Sequence, residues 1–349
     1  MVLGLFHLRI GARAEKHINE TVALFRLCSN LKKYIIKRLL QSIPLIFIIM
    51  TLNFGIMHLA PGDPVDFLVS GLEGASKEFI QLLKAKYGFD KPVFEQFIIY
   101  MNNILHGNFG YSFYFHQPVL KILMSRLRNT LILTSFSMVI ELSGIILGVI
   151  ASRKVYSFTD NMITITSLIT FNMPYFWMAM MFILLFGLRL GWFPIMGMYT
   201  IGTKGFDRTL SILWHLVLPA SCLSLGRIAL YSRYTRASML EILQLDYITT
   251  AWAKGCDEKT VLYKHAFRNA LIPIVTIIAL RMRLLFTGAI LVETVFAWPG
   301  IGRMIFDSIL RRDYNVLMAN FLILSVITIL FNLLADIAYA YVDPRVRYT

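Results

Sequence analysis

Six apolar stretches, each long enough to cross the hydrocarbon core of a bilayer, constrain this fold more than any other feature of the chain. A membrane-spanning helix needs about 20 consecutive, mostly apolar residues. The stretches alternate with polar segments and lie at residues 39–59, 129–151, 161–188, 210–232, 271–295 and 317–341. Because lipid offers no hydrogen bonds to the backbone, each stretch must satisfy its own polar groups. The pattern predicts an all-α polytopic membrane protein with six transmembrane helices.

The composition supports this class and excludes a soluble globular domain. Hydrophobic residues make up 57% of the chain and charged residues 15%, and the mean hydropathy is +0.65. Soluble domains carry about 25% charged residues. Much of the net charge of +14 lies in short loops and in the N-terminal arm, where Lys and Arg set membrane topology. We therefore assign the basic charge to membrane orientation and expect no nucleic-acid partner.

The distribution of basic residues also predicts the topology. An even number of spans places both termini on one side of the membrane. Lys37 and Arg38 close a basic cluster directly before the first span, and such clusters stay in the cytoplasm. The loop around Gly255 and the terminal Arg345 and Arg347 then fall on the same side. We expect a multi-pass protein of the cell (inner) membrane with cytoplasmic N- and C-termini.

These spans divide the chain into four parts. Residues 1–33 mix apolar and basic residues and read as a cytoplasmic, amphipathic arm. Residues 34–59 form the first transmembrane helix, residues 60–128 an external region, and residues 129–349 the core, with a cytoplasmic loop at 236–270. Short helices are expected in the external region at 78–88 and 92–105, the second with Val93, Phe97, Met101 and Leu105 on its apolar face.

The loop before the fifth span has a pattern of its own, DYITTAWAKGCDEKTVLYKHAFRNALIP at residues 246–273. Apolar residues recur at helical spacing from Leu240 to Ala251. Gly255 favours a left-handed backbone conformation that ends a helix. Asp257 then caps a second helix, whose first turn favours an acidic residue. We predict a helix–turn–helix with a compact tip around residues 253–257.

This loop resembles the cytoplasmic coupling loop of ABC importer permeases, and its sequence is similar to that of the dipeptide/oligopeptide/nickel branch. Further blocks resemble the same family: PGDP, KYGFDKP and HGNFGYS in the external region, and VETVFAWPGIGR at residues 292–303. Counterparts extend over nearly all of residues 34–348. The resemblance implies a type I ABC importer permease fold with an external helical insertion between helices 1 and 2.

It also implies a function and partners. Such a chain forms the pathway for peptides delivered by a solute-binding protein, and it works with a paralogous permease and two ATPase subunits that bind ATP and Mg²⁺. Nickel complexes or oligosaccharides are the alternative cargoes. The residues carried over as ATPase-coupling positions are Asp246, Thr250, Ala251, Ala253, Lys254, Gly255 and Asp257. Trp252 departs from the basic residue usual at its position.

The motifs of catalysis are missing from the sequence. It contains no G-x-x-x-x-G-K-[ST] phosphate loop, so we expect ATP hydrolysis in separate subunits and a chain that is not an enzyme. The seven histidines form no i, i+4 pair, and His106 and His116 are read as ordinary exposed residues. Three cysteines show no metal-ligand spacing and no disulfide framework. We expect no metal and no cofactor in this chain.

Ionisable residues inside the predicted spans are costly in lipid and therefore informative. They are Glu141, Arg227, Arg281, Arg283 and Asp336, with Glu293 near the outer boundary. Glu141 and the two fifth-span arginines lie at similar depths, so we predict that Glu141 pairs with one of them. We assign Glu141, Arg281, Arg283 and Asp336 to the substrate pathway. Arg227 is expected to extend its side chain to the cytoplasmic face.

Two rival functions are open at this point. Glu141 and Asp336 could couple a secondary transporter to protons, a class in which inverted repeats are common, although no repeat is evident here. The basic N-terminal arm could instead recruit partners to a membrane scaffold that transports nothing. A neighbouring gene for an ATPase would argue against both.

Overall fold

The computed structural model describes residues 35–59, 90–112, 114–282 and 289–342, and the isolated residues 78, 81, 82, 85 and 285. Side chains are described up to residue 334, except those of residues 279, 280 and 282. The predicted amphipathic arm, most of the helix expected at 78–88, and Arg283 lie outside the described residues.

The described part of the chain is almost entirely helical, as the apolar pattern predicts. In chain order the helices are α1 (Ile35–Leu59), α2 (Val93–Leu105), α3 (Val119–Glu141), α4 (Ser143–Arg153), α5 (Phe158–Asn172), α6 (Tyr175–Phe182), α7 (Gly205–Leu243), α8 (Asp246–Ala253), α9 (Arg268–Met282), α10 (Ile290–Val295), α11 (Ile301–Leu310) and α12 (Tyr314–Val342). Two π-helical segments, Ile183–Arg189 and Thr260–Phe267, extend α6 and lead into α9. Strands β1 (Tyr111–Ser112) and β2 (Gln117–Pro118) form an antiparallel hairpin.

Within the described ranges, five helices are long and apolar enough to cross a bilayer, or six when one bent pair counts as a single span. The bent pair corrects the straight span predicted at 161–188. Helix α5 and the α6 segment meet at an angle of 105°. Pro174 begins the second segment and forces extended geometry on Met173 (φ −73°, ψ 129°). The third span is therefore broken at its centre.

Three other predicted boundaries also shift. Helix α3 begins at Val119, so the boundary expected between residues 128 and 129 lies inside a helix. Helix α7 extends for 39 residues, well beyond the predicted span 210–232. The predicted fifth span at 271–295 is interrupted, because α9 ends at Met282 and Ala289 is non-helical before α10 (φ −125°, ψ 78°).

The helix predicted at 92–105 is confirmed as α2, but its apolar face differs from the expected one. Phe97, Tyr100 and Met101 are half-buried, whereas Val93 and Leu105 are exposed. The Phe97 ring lies 5.2 Å from that of Phe54 near the end of α1. Helix α2 therefore packs through the face centred on Phe97.

Helix α7 organises the larger of two compact units, residues 53–324, by packing against α3, α4, α5 and α9. Two glycines of α4 allow its backbone to approach α7 closely. A Cβ at Gly148 would lie 2.5 Å from Thr235 Cβ, and one at Gly144 would collide with the backbone of Ile228. Small residues four positions apart allow membrane helices to bring their backbones together. Of the described residues, 35–52 and 325–342 belong to the smaller unit.

Candidate functional site

The coupling loop (residues 236–270) comprises the end of α7, helix α8 and the helical segment that follows Asp257. Helix α7 stops at Leu243 and the extended Leu245 precedes α8, which corrects the continuous helix predicted from Leu240 to Ala251. Gly255 has φ +79°, the left-handed conformation expected at this turn. A Cβ at Gly255 would meet nothing within 4 Å. The cost of a side chain there is therefore conformational rather than steric.

Asp257 begins the second helix of the loop, as predicted. Hydrogen bonds from the side chain and backbone of Thr260 hold the pKa of the Asp257 carboxyl below its usual value. A carboxylate at this position accepts free N–H groups and faces the positive end of the helix. The cap therefore fixes the direction in which the chain leaves the tip.

A small hydrophobic core holds the loop together. It combines Val149 of α4 and Met239 of α7 with loop residues Ile248, Val261 and Leu262. Ala251 belongs to the same cluster and is only 6% exposed. Ala251 is one of the predicted ATPase-coupling residues, and its small side chain packs between α8 and the second helix of the loop.

The other predicted coupling residues are on the surface. Asp246, Thr250, Ala253, Lys254, Gly255 and Asp257 are exposed. Trp252, which departs from the family pattern, is 48% exposed. The loop therefore presents a continuous exposed surface on a rigid internal core, which is a geometry suited to docking.

Two ion pairs that the sequence does not predict connect the neighbourhood of the loop to adjacent helices. Arg236 donates two hydrogen bonds to Asp160 at 2.6 and 2.7 Å, and the Asp160 side chain is 2% exposed. Arg153, at the end of α4, lies 3.0 Å from Glu258 in an exposed pair. The Asp160 pair joins α5 to α7, and the Glu258 pair joins α4 to the loop.

A local signal for Asp160 was present in the sequence. Ser157 and Asp160 form the spacing of a capping box. The Ser157 hydroxyl accepts from Asp160 N at 3.2 Å, and the Asp160 carboxylate accepts from Tyr156 N at 2.9 Å. The helix start was therefore recognisable, whereas the long-range partner on α7 was not.

A cavity of about 390 Å³ lies among the spanning helices. Its polar lining includes Ser137, Glu141, Tyr175, Arg227 and Arg281, supplied by α3, α6, α7 and α9. Glu141 is 2% exposed. Its Oε1 accepts hydrogen bonds from Arg281 Nη2 at 3.0 Å and from the Ser137 hydroxyl at 3.1 Å. The predicted pairing of Glu141 with a fifth-span arginine is therefore confirmed, with Arg281 as the partner.

The four residues assigned to the pathway are only partly brought together. Glu141 and Arg281 face the same cavity. Arg283 is outside the described residues, and Asp336 lies on the α12 backbone, where side chains are not described.

Arg227 differs from its prediction. It lines the cavity, and its Nε is buried with no hydrogen-bond partner among the described residues. It was expected to extend to the cytoplasmic face. Tyr231, one helical turn further along α7, lies within electrostatic range of Arg227, Arg281 and Glu141. The packing of α7 against α3 and α9 turns this face inward, so Arg227 joins the charged group.

The turn at residues 292–303 is a second buried polar centre. Glu293, expected near the outer boundary, is fully buried. It accepts hydrogen bonds from the Thr130 hydroxyl at 2.8 Å and from Arg303 N at 3.1 Å. A Cβ at Gly300 would collide with this carboxylate. Glu293 thus caps α11 and fixes the turn, which is a structural role.

The described residues contain no group of three His, Cys, Asp or Glu side chains that could hold a metal ion. Within the same ranges, the charged and hydrogen-bonding chemistry of the cavity comes from carboxylate, guanidinium and hydroxyl groups. These groups suit the binding of a polar organic solute.

Comparison with known proteins shows the family. Residues 144–348 match the model of the binding-protein-dependent transport system inner membrane component, and residues 31–134 match the model of its N-terminal part. The chain is 42% identical over 321 residues to the oligopeptide transport system permease protein AppB of Bacillus subtilis (strain 168), covering 90% of this chain and 99% of that protein. It is 37% identical over 332 residues to the dipeptide transport system permease protein DppB of Alkalihalophilus pseudofirmus, with the same coverage.

The glutathione transport system permease protein GsiC of Escherichia coli (strain K12) is 39% identical over 316 residues, covering 90% of this chain and 99% of that protein. Both family models and all three relatives thus agree with the helical membrane architecture. The chain belongs to the family of binding-protein-dependent transport system inner membrane components, the permease subunits of ABC importers.

Proposed function

We propose that this chain is the transmembrane permease subunit of an ATP-driven importer for di- or oligopeptides. The observation that carries the proposal is the identity of 37–42% to permeases named for oligopeptide, dipeptide and glutathione transport, over 90% of this chain. The cavity supports it, because its carboxylate and guanidinium groups can bind the charged and polar groups of a peptide.

The importer would contain further subunits. A paralogous permease completes the pathway, two ATPase subunits bind ATP and Mg²⁺, and a solute-binding protein delivers the peptide outside. The exposed coupling positions Asp246, Thr250, Ala253, Lys254, Gly255 and Asp257 form the surface offered to an ATPase, with the N- and C-termini on the same, cytoplasmic side. This chain contributes no catalytic step.

The rigidity of the coupling loop suggests how motion is transmitted. Its core includes Val149 of α4 and Met239 of α7, and Arg153 ties α4 to Glu258. A displacement of the loop would therefore move the cytoplasmic ends of both helices. Two global states that bind ATP and peptide with different affinity are what such coupling requires.

The cavity chemistry favours peptides over the other cargoes of this branch. Nickel ions prefer imidazole ligands, and no histidine or cysteine is among the described lining residues. Tyr175 is the aromatic residue in that lining, which leaves few surfaces for stacking a sugar. Glu141 is held in an ion pair with Arg281, which disfavours its use as the proton carrier of a secondary transporter.

Reconstitution tests the proposal. The chain is purified with its partner permease and ATPases, placed in liposomes with ATP inside, and supplied with the binding protein outside. We expect uptake of radiolabelled trialanine that requires ATP and the binding protein. Uptake of nickel complexes or oligosaccharides without peptide uptake would reassign the cargo, and uptake driven by a proton gradient alone would refute an ATP-driven importer.

A further inference from the structure

The cavity among the spanning helices carries a positive charge that its described residues leave uncompensated. Arg227 and Arg281 both line it, facing the single carboxylate of Glu141 within the described lining. Glu141 already binds Arg281 at 3.0 Å. Arg227 is therefore the guanidinium of this group without a counter-ion in the described structure.

The hydrogen-bonding capacity of Arg227 is also unused. Its Nε is buried and has no acceptor among the described residues. A buried N–H group without an acceptor is costly, and buried charge is more costly still. A group in this state is compatible with a stable membrane protein when an external partner completes it during function.

A second observation points to a ligand in the same place. The Glu141 side chain is almost fully buried, yet its Oε2 has no donor within the described ranges, whereas Oε1 has two. The cavity volume of about 390 Å³ lies within the range of about 300–1,000 Å³ typical of small-molecule sites. The cavity thus has room for a ligand and, among its described residues, unpaired polar atoms that include the Arg227 Nε donor and the Glu141 Oε2 acceptor. A peptide end carries both complementary groups, because its carboxylate accepts hydrogen bonds and its N–H groups donate them.

We propose that this cavity binds the C-terminal carboxylate of the transported peptide, with Arg227 as its receptor. The inference rests on the proposed function and adds the group of the peptide that is recognised inside the membrane. A planar guanidinium binds a carboxylate through two parallel hydrogen bonds, the geometry for which arginine is suited. Arg281 is less available, because Glu141 holds it.

Tyr175 supplies a second polar group for the same ligand. It follows Pro174 at the bend of the broken third span and lines the cavity. A Cβ at Gly226 would lie 3.1 Å from the Tyr175 hydroxyl, so the hydroxyl sits beside the residue that precedes Arg227. The bend therefore places a hydroxyl group in the same cavity as the Arg227 guanidinium.

The test compares two peptides that differ only at the C-terminus, trialanine and trialanine amide. ATP-dependent uptake of each is measured in proteoliposomes containing the full transporter with either wild-type or Arg227→Gln permease. The same binding protein serves both, so its own preference cancels in the comparison. Arg233→Gln is the matched control, because Arg233 lies on the same helix, is exposed and stacks on Phe171.

For Arg227→Gln we expect trialanine uptake to fall about tenfold, the effect of losing one charge-assisted hydrogen bond, with little change for the amide. Arg233→Gln should preserve the wild-type ratio. An unchanged ratio in Arg227→Gln would overturn the carboxylate site while leaving peptide transport intact. Wild-type transporter that imports neither peptide would instead refute the proposed function.

A second measurement keeps the inference testable if Arg227→Gln fails to assemble. Millimolar trialanine should raise the thermal unfolding temperature of the detergent-solubilised wild-type permease–ATPase complex, without the binding protein, more than trialanine amide does. Arg227→Lys, which keeps the charge and loses the planar fork, should retain part of that difference. Equal shifts for the two peptides in the wild-type complex would overturn the proposal.

Discussion

The carboxylate of Glu141 and the guanidinium of Arg281 form a salt bridge of 3.0 Å although 140 residues separate them in the chain. Glu141 ends α3 and Arg281 lies near the end of α9. The pair therefore fixes the relative depth of two spanning helices beside the cavity.

Breaking this pair should destabilise the protein. Glu141→Gln and Arg281→Gln should each lower the free energy of unfolding by about 1–3 kcal/mol, less than a fully buried pair because Arg281 is partly exposed. The double variant should recover part of the loss, since neither charge is then left alone. Thermal unfolding in detergent measures this. Glu141→Gln with Arg283→Gln is the control, and equal recovery there would show that Arg281 is not the partner.

The pair between Asp160 and Arg236 should matter more than the pair between Arg153 and Glu258. Asp160 is almost fully buried and its pair is bidentate, so Asp160→Asn should cost about 2–4 kcal/mol. Glu258→Gln breaks a pair whose two side chains are about half exposed, and it should cost at most about 1 kcal/mol. The two unfolding temperatures, measured in one detergent, decide the order. Similar losses would mean that the Asp160 pair is hydrated in the membrane.

Gly255→Val should uncouple ATP hydrolysis from transport while the protein still inserts into the membrane. The backbone there has φ +79°, a conformation that costs an L-residue about 1–2 kcal/mol. The turn is expected to change shape rather than to clash, because the space around Gly255 is empty. ATPase activity and peptide uptake in proteoliposomes measure the coupling.

Gly202→Val is the matched control for that experiment. Gly202 also has a left-handed backbone, φ +94°, and no atom within 4 Å of an added Cβ. The backbone cost is therefore similar at a position far from the coupling loop in sequence. Normal coupling in Gly255→Val, or an equal defect in Gly202→Val, would contradict the assigned role of residues 253–257.

Cysteine labelling tests the predicted topology. Asn103 is exposed on α2 and Cys256 is partly exposed in the coupling loop. In a protein with Cys28 replaced by serine, Asn103→Cys should react with a membrane-impermeant maleimide in intact cells, and Cys256 only after permeabilisation. Cys222 is buried and serves as the unreactive background. The reverse labelling order would invert the orientation of the chain.

Asp313 should make stability depend on pH. Burial raises the pKa of its carboxyl above the usual value, although the Ser112 hydroxyl donates to it. A raised pKa stabilises the folded state while the group is protonated, and this contribution is lost as pH rises through the folded pKa. Asp313→Asn should therefore gain unfolding temperature relative to wild type as the pH rises above about 4, the usual pKa of an aspartate. Parallel curves for the two proteins would show that the pKa of Asp313 does not change on folding.

Much of the fold was predictable from local patterns, and the misses share a physical cause. The lengths of the apolar stretches indicate where the spans lie. Gly255 and Asp257 indicate a turn, because the geometry of a turn depends mainly on adjacent residues. The pairing of Glu141 with a fifth-span arginine is predictable because the regular rise of a helix gives the depth of each residue in its span. The bend at Pro174 was harder to predict, since proline is also tolerated within spans such as α7, which contains Pro219.

The positions and contacts of three other side chains depend on tertiary packing: Arg227, Ala251 and Asp160. Arg227 points to the cavity because of how α7 packs, and a linear sequence does not state which side of a helix faces protein. Ala251 is inside the coupling loop because α8 lies over the second helix. Asp160 showed its local capping pattern, but Arg236 lies 76 residues away.

The contact of Gly144 and Gly148 with α7 has a mechanical consequence. The close packing of the two backbones over these glycines couples α4 to α7, so a displacement of one helix displaces the other. One end of this helix pair carries Val149 and Met239 into the coupling loop, and its other side carries Arg227 into the cavity. A movement of these helices would therefore change the position of the loop and the shape of the cavity together. A bulky residue at Gly148 would push α4 and α7 apart and weaken the coupling between them. The loop could then move without a change in the shape of the cavity.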